Sequence, residues 1–188
     1  MKRDEAWQIL CEYTKTEPLR KHALAVEAAM RAYAGRYSGD EEQWGCVGLL
    51  HDFDFEIHPT EQDHPVKGAE ILRQKGVPEE IVYAVLCHAD YLGMDRKTPM
   101  DRAIYAVDEL TGFVTAVALV RPTKSIHEVD VKAVRKKMKD KGFARAVNRD
   151  DITKGAEQLG VDLDEHIAFV IEALKPVATE LGIAGAAP

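Results

Sequence analysis

The sequence contains 188 residues, 46% of them hydrophobic, which is enough for one well-cored domain but not comfortably for two. Its formal net charge of −7 argues against a general affinity for nucleic acid or anionic membranes, because both bind positively charged protein surfaces. Charged residues interrupt every apolar run well before the roughly 20 residues of a membrane span, and the N-terminus lacks a signal-peptide core, so we expect a cytoplasmic protein without membrane partners.

Apolar residues recur at helical spacing in the first part of the chain, and histidines fall on the apolar faces. Pro18 suits the first turn of a helix on which His22 faces inward. Asp40 and Gln43 form a capping-box-like start to the next helix, which carries His51 on its apolar face. Both histidines are therefore expected to point into the protein.

Two more histidines lie at the ends of predicted helices. His64 precedes Pro65, which opens a helix closing near Gly76. Pro78 opens another helix, whose apolar face ends at His88. A helix-end histidine before proline has a second interpretation, because it can simply cap the helix.

The remaining pattern is also helical. Thr98 and Asp101 cap a longer helix that carries Asp108 near its apolar face. Asp130 is expected to cap a basic helix that ends at Gly142. The last predicted helix is amphipathic and is kinked or split by proline. Because alternating strand patterns are scarce, the sequence predicts an all-α fold.

The inward histidines and their acidic neighbours form a candidate metal site. Its potential ligands are His22, His51, Asp52, His64, His88 and Asp108. Imidazole and carboxylate suit Fe, Mn, Zn, Co or Mg and disfavour thiolate-preferring metals. A lone inward histidine is more often a hydrogen-bonded core residue, but four of them with two acids favour a metal. The other histidines are expected at the surface: His58, His127 and His166.

The order of these residues resembles a known signature. His22, the adjacent His51 and Asp52, and Asp108 are similar to the H…HD…D pattern of the HD superfamily of metal-dependent phosphohydrolases. The segment HPVKGAEIL, residues 64–72, resembles the HPxxGAxIL segment of HDIG-type members, and AVDELTGFV surrounds the last aspartate.

The resemblance covers about residues 15–120 and implies an HD-type helical bundle. We therefore expect a single domain over residues 1–188, with a helical C-terminal extension at about residues 121–183. Pro176 lies within that extension, in the last helix.

The resemblance also implies ligand roles and a cofactor of one or two divalent ions (Mn, Fe, Co, Zn or Mg). The residues implied to bind one ion are His22, His51, Asp52 and Asp108. In dinuclear members the position of Asp52 bridges two ions, and His64 and His88 match ligands of the second ion.

Two departures from the HDIG pattern bear on the substrate. The chain reads HDFDFE, so Phe55 stands where a phosphate-contacting lysine is expected. The DGxGYP hallmark is missing, since ADYLGMDRKTP follows His88, and this argues against cyclic di-GMP.

The expected chemistry is hydrolysis by water that divalent ions activate. Asp52 is the candidate to orient this water, and Asp54 or Glu56 could relay protons. Three cationic side chains are candidates for phosphate contact: Lys67, Arg121 and Lys124. The basic helix at 130–141 is either a positive funnel or, as is more common, a solvated face.

The leading functional hypothesis is an enzyme that hydrolyses a phosphate monoester or diester, in a nucleotide or another small phosphorylated metabolite, without specific nucleic-acid binding. Two alternatives use the same ligands: a di-iron oxygenase, which would require both His64 and His88, and a non-catalytic metal-binding sensor or scaffold. The pocket walls are expected in the loops at 53–63, 90–98 and 121–128.

Overall fold

α-Helices dominate the computed structural model, which describes residues 1–185. They are α1 (Arg3–Tyr13), α2 (Glu17–Tyr37), α3 (Glu41–Leu50), α4 (Val66–Gln74), α5 (Glu79–Cys87), α6 (Pro99–Leu119), α7 (Val131–Met138), α8 (Arg149–Leu159), α9 (Leu163–Leu174) and α10 (Ala178–Leu181). Short 3-10 turns occupy Asp90–Leu92, Ile126–Glu128 and Lys175–Val177. No β-strand forms within residues 1–185, so the expected all-α fold is confirmed.

The predicted helix starts are confirmed at three caps. The side chains of Asp40, Thr98 and Asp130 each accept backbone N–H groups in the first turn of α3, α6 and α7. The capping box expected at α3 is incomplete, because the Gln43 amide donates to Glu80 at 3.1 Å instead of reaching back to the cap.

The C-terminal part differs from the sequence pattern in two ways. The basic helix α7 ends at Met138 instead of Gly142. Helix α8 was not predicted, because its sequence is largely polar and buries only a few residues: Ile152, Gly155 and Ala156. Pro176 lies in the 3-10 turn between α9 and α10, which agrees with the predicted split.

Close contact between α2 and α3 positions two of the candidate ligands. A Cβ atom on Gly48 would lie 2.7 Å from the backbone of Glu27, so only glycine permits this approach. Helix α3 then ends at Leu50, and the next residue, His51, lies beside His22 of α2.

Helix α8 approaches α6 in the same way. A Cβ atom on Gly155 would lie 2.6 Å from the Cα of Ala106. One turn earlier, Asp151 accepts a hydrogen bond from the Tyr105 hydroxyl at 3.0 Å. The unpredicted helix therefore supplies a side chain next to the face of α6 that carries Asp108.

A single cluster of buried apolar residues extends from Ala6 in α1 to Ile183 beyond α10. Helices α9 and α10 both pack against α2. The C-terminal helices thus share the core of the preceding helices, and a division near residue 120 stays a prediction. None of the described helices is both long enough and apolar enough to cross a membrane.

The expectation that His166 lies at the surface is wrong. Its side chain is fully buried, where Nε2 donates to the carbonyl oxygen of Ala106 at 2.9 Å and Nδ1 accepts from the Tyr33 hydroxyl at 2.6 Å. This pattern satisfies the neutral ring. Burial lowers the pKa of His166 to about 4. Of the other two, His127 is exposed and His58 is partly buried.

Acidification should lower the stability of the folded protein because of this buried histidine. His166 binds a proton near pH 6.5 in the unfolded chain but only near pH 4 in the folded one, so its contribution to the free energy of unfolding falls as the pH drops from 6.5 to 4. The loss reaches about 3 kcal/mol. Denaturant unfolding between pH 7 and pH 4 measures it. The variant His166→Gln should lose this component, whereas His127→Gln should keep it; identical slopes in both variants would contradict the assignment.

Candidate metal centre

Four of the predicted ligands meet between α2, α3 and α6. Their ligand atoms lie within 4.8 Å of one another: His22, His51, Asp52 and Asp108. The Nε2 atom of His22 is 2.9 Å from Asp108 Oδ1 and 3.2 Å from His51 Nε2. His51 Nε2 lies 3.4 Å from Asp108 Oδ1 and 3.5 Å from Asp52 Oδ2. We call these four residues the first cluster.

The other two predicted ligands meet on the opposite side of Asp52. The Nε2 atoms of His64 and His88 lie 3.1 and 3.3 Å from Asp52 Oδ1, and 3.2 Å from each other. Asp52, His64 and His88 form the second cluster. Asp52 thus turns Oδ2 toward the first cluster and Oδ1 toward the second, which is the arrangement a bridging carboxylate needs.

Two of the histidines are fixed by backbone carbonyls through their outer nitrogen atoms. Nδ1 of His51 donates to the Gly48 carbonyl at 2.8 Å, and Nδ1 of His88 donates to the Val85 carbonyl at 2.5 Å. Since a carbonyl oxygen only accepts, these rings carry their proton on Nδ1 and present the Nε2 lone pair to the clusters. Histidines that bind metals are typically oriented by such contacts.

The charges around Asp52 favour a cation at this place. Burial alone would lower the pKa of His51, yet the carboxylates of Asp52 and Asp108 raise it well above its ordinary value. Burial would lower the pKa of His64 as well, but its carboxylate partners outweigh this effect and raise the pKa to about 9. Both carboxyl pKa values are low: burial opposes ionisation of Asp52 and Asp108, but the neighbouring histidines outweigh it. The donor set therefore fits divalent metal ions, which would supply this positive charge.

Asp54, a predicted proton relay, lies behind His64 and does not line the cavity in front of the clusters. Its carboxylate is fully buried and lies 2.9 Å from His64 Nδ1 and 3.3 Å from His58 Nδ1. A Cβ atom on Gly68 would lie 2.5 Å from this carboxyl group, so the glycine of HPVKGAEIL makes room for it. The contact orients His64.

Glu56, the alternative relay, is directed away from the clusters. Its carboxylate accepts the backbone N–H groups of Lys15 and Thr16 at 2.8 and 3.1 Å, before the first turn of α2. Glu56 therefore ties the 53–63 segment to α2.

A cavity of about 650 Å³ opens in front of both clusters. Two of the three expected loops contribute to its walls, through Pro59, Glu61 and Tyr91 among others, whereas 121–128 does not. The third wall comes instead from residues 146–148 and Asp151. This wall was unexpected because the polar sequence of α8 gives little periodic apolar signal.

None of the three predicted phosphate contacts lines this cavity. Lys67 forms an ion pair with Asp63 at 2.8 Å on the surface. Lys124 is exposed, and Arg121 lies beyond the C-terminus of α6 with an Nε atom that lacks a partner within the described residues. The helix α7, which covers most of the basic run at 130–141, contributes nothing to the lining either. Their contact with substrate stays a prediction.

Glu109 lines the cavity and was not identified from the sequence. Burial, together with the neighbouring Asp108 carboxylate, raises the pKa of Glu109 to about 7. Its carboxylate accepts the backbone N–H of Asn148 at 3.1 Å. The helical spacing of Tyr105, Glu109 and Gly112, which all line the cavity, is the signal that could have revealed this face of α6.

The wall at 146–148 depends on one side chain. The Arg149 guanidinium donates to four preceding backbone carbonyls, those of Asp140, Phe143, Ala144 and Val147. These bonds fold the segment between α7 and α8 back on itself. Asn148 then caps α8 and faces the cavity.

The helices and the paired clusters define an all-α metal-binding domain. The family model "HD domain" matches residues 19–112, which is 94 of the 188 residues, and the chain belongs to this family. Every residue of the first cluster and of the second falls inside the matched segment.

Two curated relatives are both named Ribonuclease Y. That of Desulfotalea psychrophila is 27% identical over 161 residues, covering 81% of this chain and 30% of the relative. That of Oleidesulfovibrio alaskensis is 27% identical over 93 residues, covering 49% of this chain and 18% of the relative. The chain thus spans less than a third of the length of these relatives. No solved structure gives a significant match. Family and relatives together support a metal-dependent HD hydrolase.

Metal content should follow the two clusters. Protein purified without chelators or a histidine tag is expected to carry two divalent ions per chain, measured by elemental analysis. Asp52→Ala should lose both ions with nearly unchanged helical content by circular dichroism, and His88→Ala should lose one. His127→Ala, which changes an exposed histidine outside the clusters, is the control. Full metal content in Asp52→Ala would refute the bridging arrangement.

The packing of Gly68 against Asp54 should affect the second cluster selectively. Gly68→Ala would push the Asp54 carboxylate from His64, so the affinity for the second ion should fall about 10- to 100-fold while the first ion stays. Competitive titration with a chromogenic chelator measures both affinities. Gly35→Ala is the matched control, since its Cβ would meet only Glu41 Oε1 at 3.7 Å. Equal affinities in the two variants would show that the Asp54 contact is unimportant.

Proposed function

We propose that this protein is a metal-dependent hydrolase of a small phosphate ester that carries little negative charge, with phosphodiesters favoured over polyphosphates and nucleic acids. The observation that carries the proposal is the position of Asp52 between the two clusters, with one carboxylate oxygen directed to each. This arrangement suits a pair of divalent ions below an open cavity.

When bound, such ions would supply an activated water molecule and positive charge to offset the charge that develops on the phosphoryl group. The protein's own residues hold and orient. His51 and His88 are fixed by backbone carbonyls, and Asp54 orients His64, so the ligand atoms need no reorganisation. Glu109, at the cavity wall, is the carboxyl group that we assign to proton exchange with the leaving group.

The charge of the cavity wall supports the choice of substrate. Its described lining contains no lysine or arginine, whereas several carboxylates do line it: Asp52, Glu61, Asp90, Asp108, Glu109 and Asp151. Asp90 is paired with Arg96 at 3.1 Å and Asp151 with Lys154 at 3.9 Å, whereas Glu109 accepts from the neutral backbone N–H of Asn148. Asp52 and Asp108 are assigned to the ions, so the carboxylates of Glu61 and Glu109 remain to repel polyanions, and a singly charged diester is the better fit.

The relatives' name raises RNA as an alternative substrate. The net charge of −7 and the carboxylate-lined cavity oppose a long polyanion, because the ions alone would have to offset its phosphates. The presence of both His64 and His88 in the second cluster also keeps the oxygenase hypothesis open, since that chemistry needs both ligands. The two chemistries differ in their dependence on iron and oxygen.

A panel of substrates tests the proposal. Manganese-loaded protein should hydrolyse bis(p-nitrophenyl) phosphate faster than p-nitrophenyl phosphate, ATP or a short RNA under anaerobic conditions. Asp52→Ala should reduce kcat/KM about 10³-fold, which corresponds to a loss of roughly 4 kcal/mol of transition-state stabilisation. His127→Ala should keep the wild-type rate. Preferred cleavage of RNA or ATP would refute the low-charge substrate. A fully metal-loaded protein that hydrolyses no phosphate ester would refute the hydrolase, and oxygen consumption by the iron-loaded form would favour the oxygenase.

A further inference from the structure

A second cavity, of about 450 Å³, lies on the other side of His22 from the metal centre. It is enclosed by the first turns of α2, the C-terminal half of α6 and the end of α10. Its walls are formed by Glu17, Pro18, Lys21, His22, Gly112, Thr115, Leu119, Leu181 and Gly182. We call it the His22 cavity. Among residues 1–185, only His22 and Gly112 line both cavities, so the imidazole ring stands between them.

The outer nitrogen of His22 differs from those of the other cluster histidines. Nδ1 of His51, His64 and His88 each lies within hydrogen-bond distance of a protein acceptor, at 2.5 to 2.9 Å. Nε2 of His22 faces Asp108 and His51, but within residues 1–185 its Nδ1 forms no hydrogen bond. With Nε2 directed to the first cluster, the ring proton belongs on Nδ1, which is free to donate to an acceptor outside the cluster.

Gly112 leaves the space beside that nitrogen open. A Cβ atom built on it would lie 3.9 Å from both Nδ1 and Cε1 of His22, an ordinary contact. Packing therefore does not require glycine here, in contrast to Gly48 and Gly155, where a Cβ would meet backbone atoms at 2.6 to 2.7 Å. Because glycine weakens the interior of a helix, its presence in α6 points to a need for the open space.

The remaining walls combine apolar contact with hydrogen-bond donors. Pro18, Leu119 and Leu181 offer apolar surface. The Thr115 hydroxyl is buried without a hydrogen-bond partner in the described part of the chain. Lys21 lines the cavity and is balanced by an exposed Glu17 carboxylate at 2.6 Å.

From these observations we propose that the His22 cavity is a second small-molecule site, which binds a carboxylate with a short apolar tail. The carboxylate accepts from His22 Nδ1–H and lies near Thr115 and Lys21, and the tail contacts Leu119 and Leu181. An acceptor on Nδ1 orients the ring and makes Nε2 a stronger donor to a metal ion. Occupancy of this site and metal binding at the first cluster therefore reinforce each other, by the same factor in each direction.

Octanoate is a suitable probe, and octylammonium is its control with the same chain and opposite charge. Isothermal titration calorimetry on zinc-loaded protein should give saturable binding of octanoate and none of octylammonium. In protein carrying ¹⁵N-labelled histidine, octanoate should shift the His22 Nδ1 resonance. Absence of saturable octanoate binding, or equal binding of octylammonium, would overturn the proposal.

Substitutions at two positions locate the binding. Gly112→Ala fills the space beside His22, so it should weaken octanoate at least fivefold while raising the melting temperature of the ligand-free protein. Leu119→Glu adds a negative charge to an exposed wall position that is 45% accessible, and it should weaken octanoate at least fivefold more than the neutral Leu119→Gln. If octanoate instead binds the zinc ions directly, Leu119→Glu and Leu119→Gln will bind it equally, and the proposal fails. None of these measurements depends on phosphate-ester turnover, so the hydrolase proposal stands or falls separately.

Discussion

The structure depends on placing two carboxylates and four imidazoles within a few ångströms of one another inside a helical core. Without a cation, the paired Nε2 atoms of His22 and His51, and those of His64 and His88, would face each other at 3.2 Å with only protons between them. Asp52 makes both contacts between imidazoles less unfavourable, because each of its carboxylate oxygens faces one of the two histidine pairs. The core can tolerate such a concentration of polar groups only when their charges balance and their outer atoms are hydrogen-bonded.

Small residues make this concentration possible. Gly48 lets α3 approach α2 closely enough for His51 to reach His22, and Gly68 leaves the volume that the Asp54 carboxylate occupies behind His64. In both places the lack of a side chain on glycine determines where a side chain of the candidate site lies. The same principle applies where α8 meets α6, since the backbone contact at Gly155 sets the distance of the cavity wall from the ligands.

The candidate metal ligands could be located from the sequence because most of them lie on an inward face of a regular helix or directly at its end. Periodicity and capping residues are local signals, and they located His22, His51, His64, His88 and Asp108 on faces that the structure brings together. The features that could not be predicted from the sequence depend on tertiary contacts. The polar helix α8 buries too few residues to give a periodic signal. The amphipathic pattern of α9 does not decide whether His166 faces the core or the solvent. Only its contacts with Tyr33 and Ala106 reveal that it is buried. The orientation of Asp54 likewise follows from the fold of the loop around it.

Two stretches of the chain form the cavity, and one supplies the candidate metal ligands while the other supplies a wall. All the candidate ligands come from the segment that matches the HD family, whereas one wall comes from residues 146–151, which lie outside it. Arg149 shapes that wall through carbonyl groups, and carbonyl groups are present whatever the side chains of 140–147 are. The side chains of this segment can therefore be exchanged, and the molecules admitted to the cavity altered, without rebuilding the ligands. Such a division makes the fold a versatile starting point for new specificities, in evolution and in the laboratory.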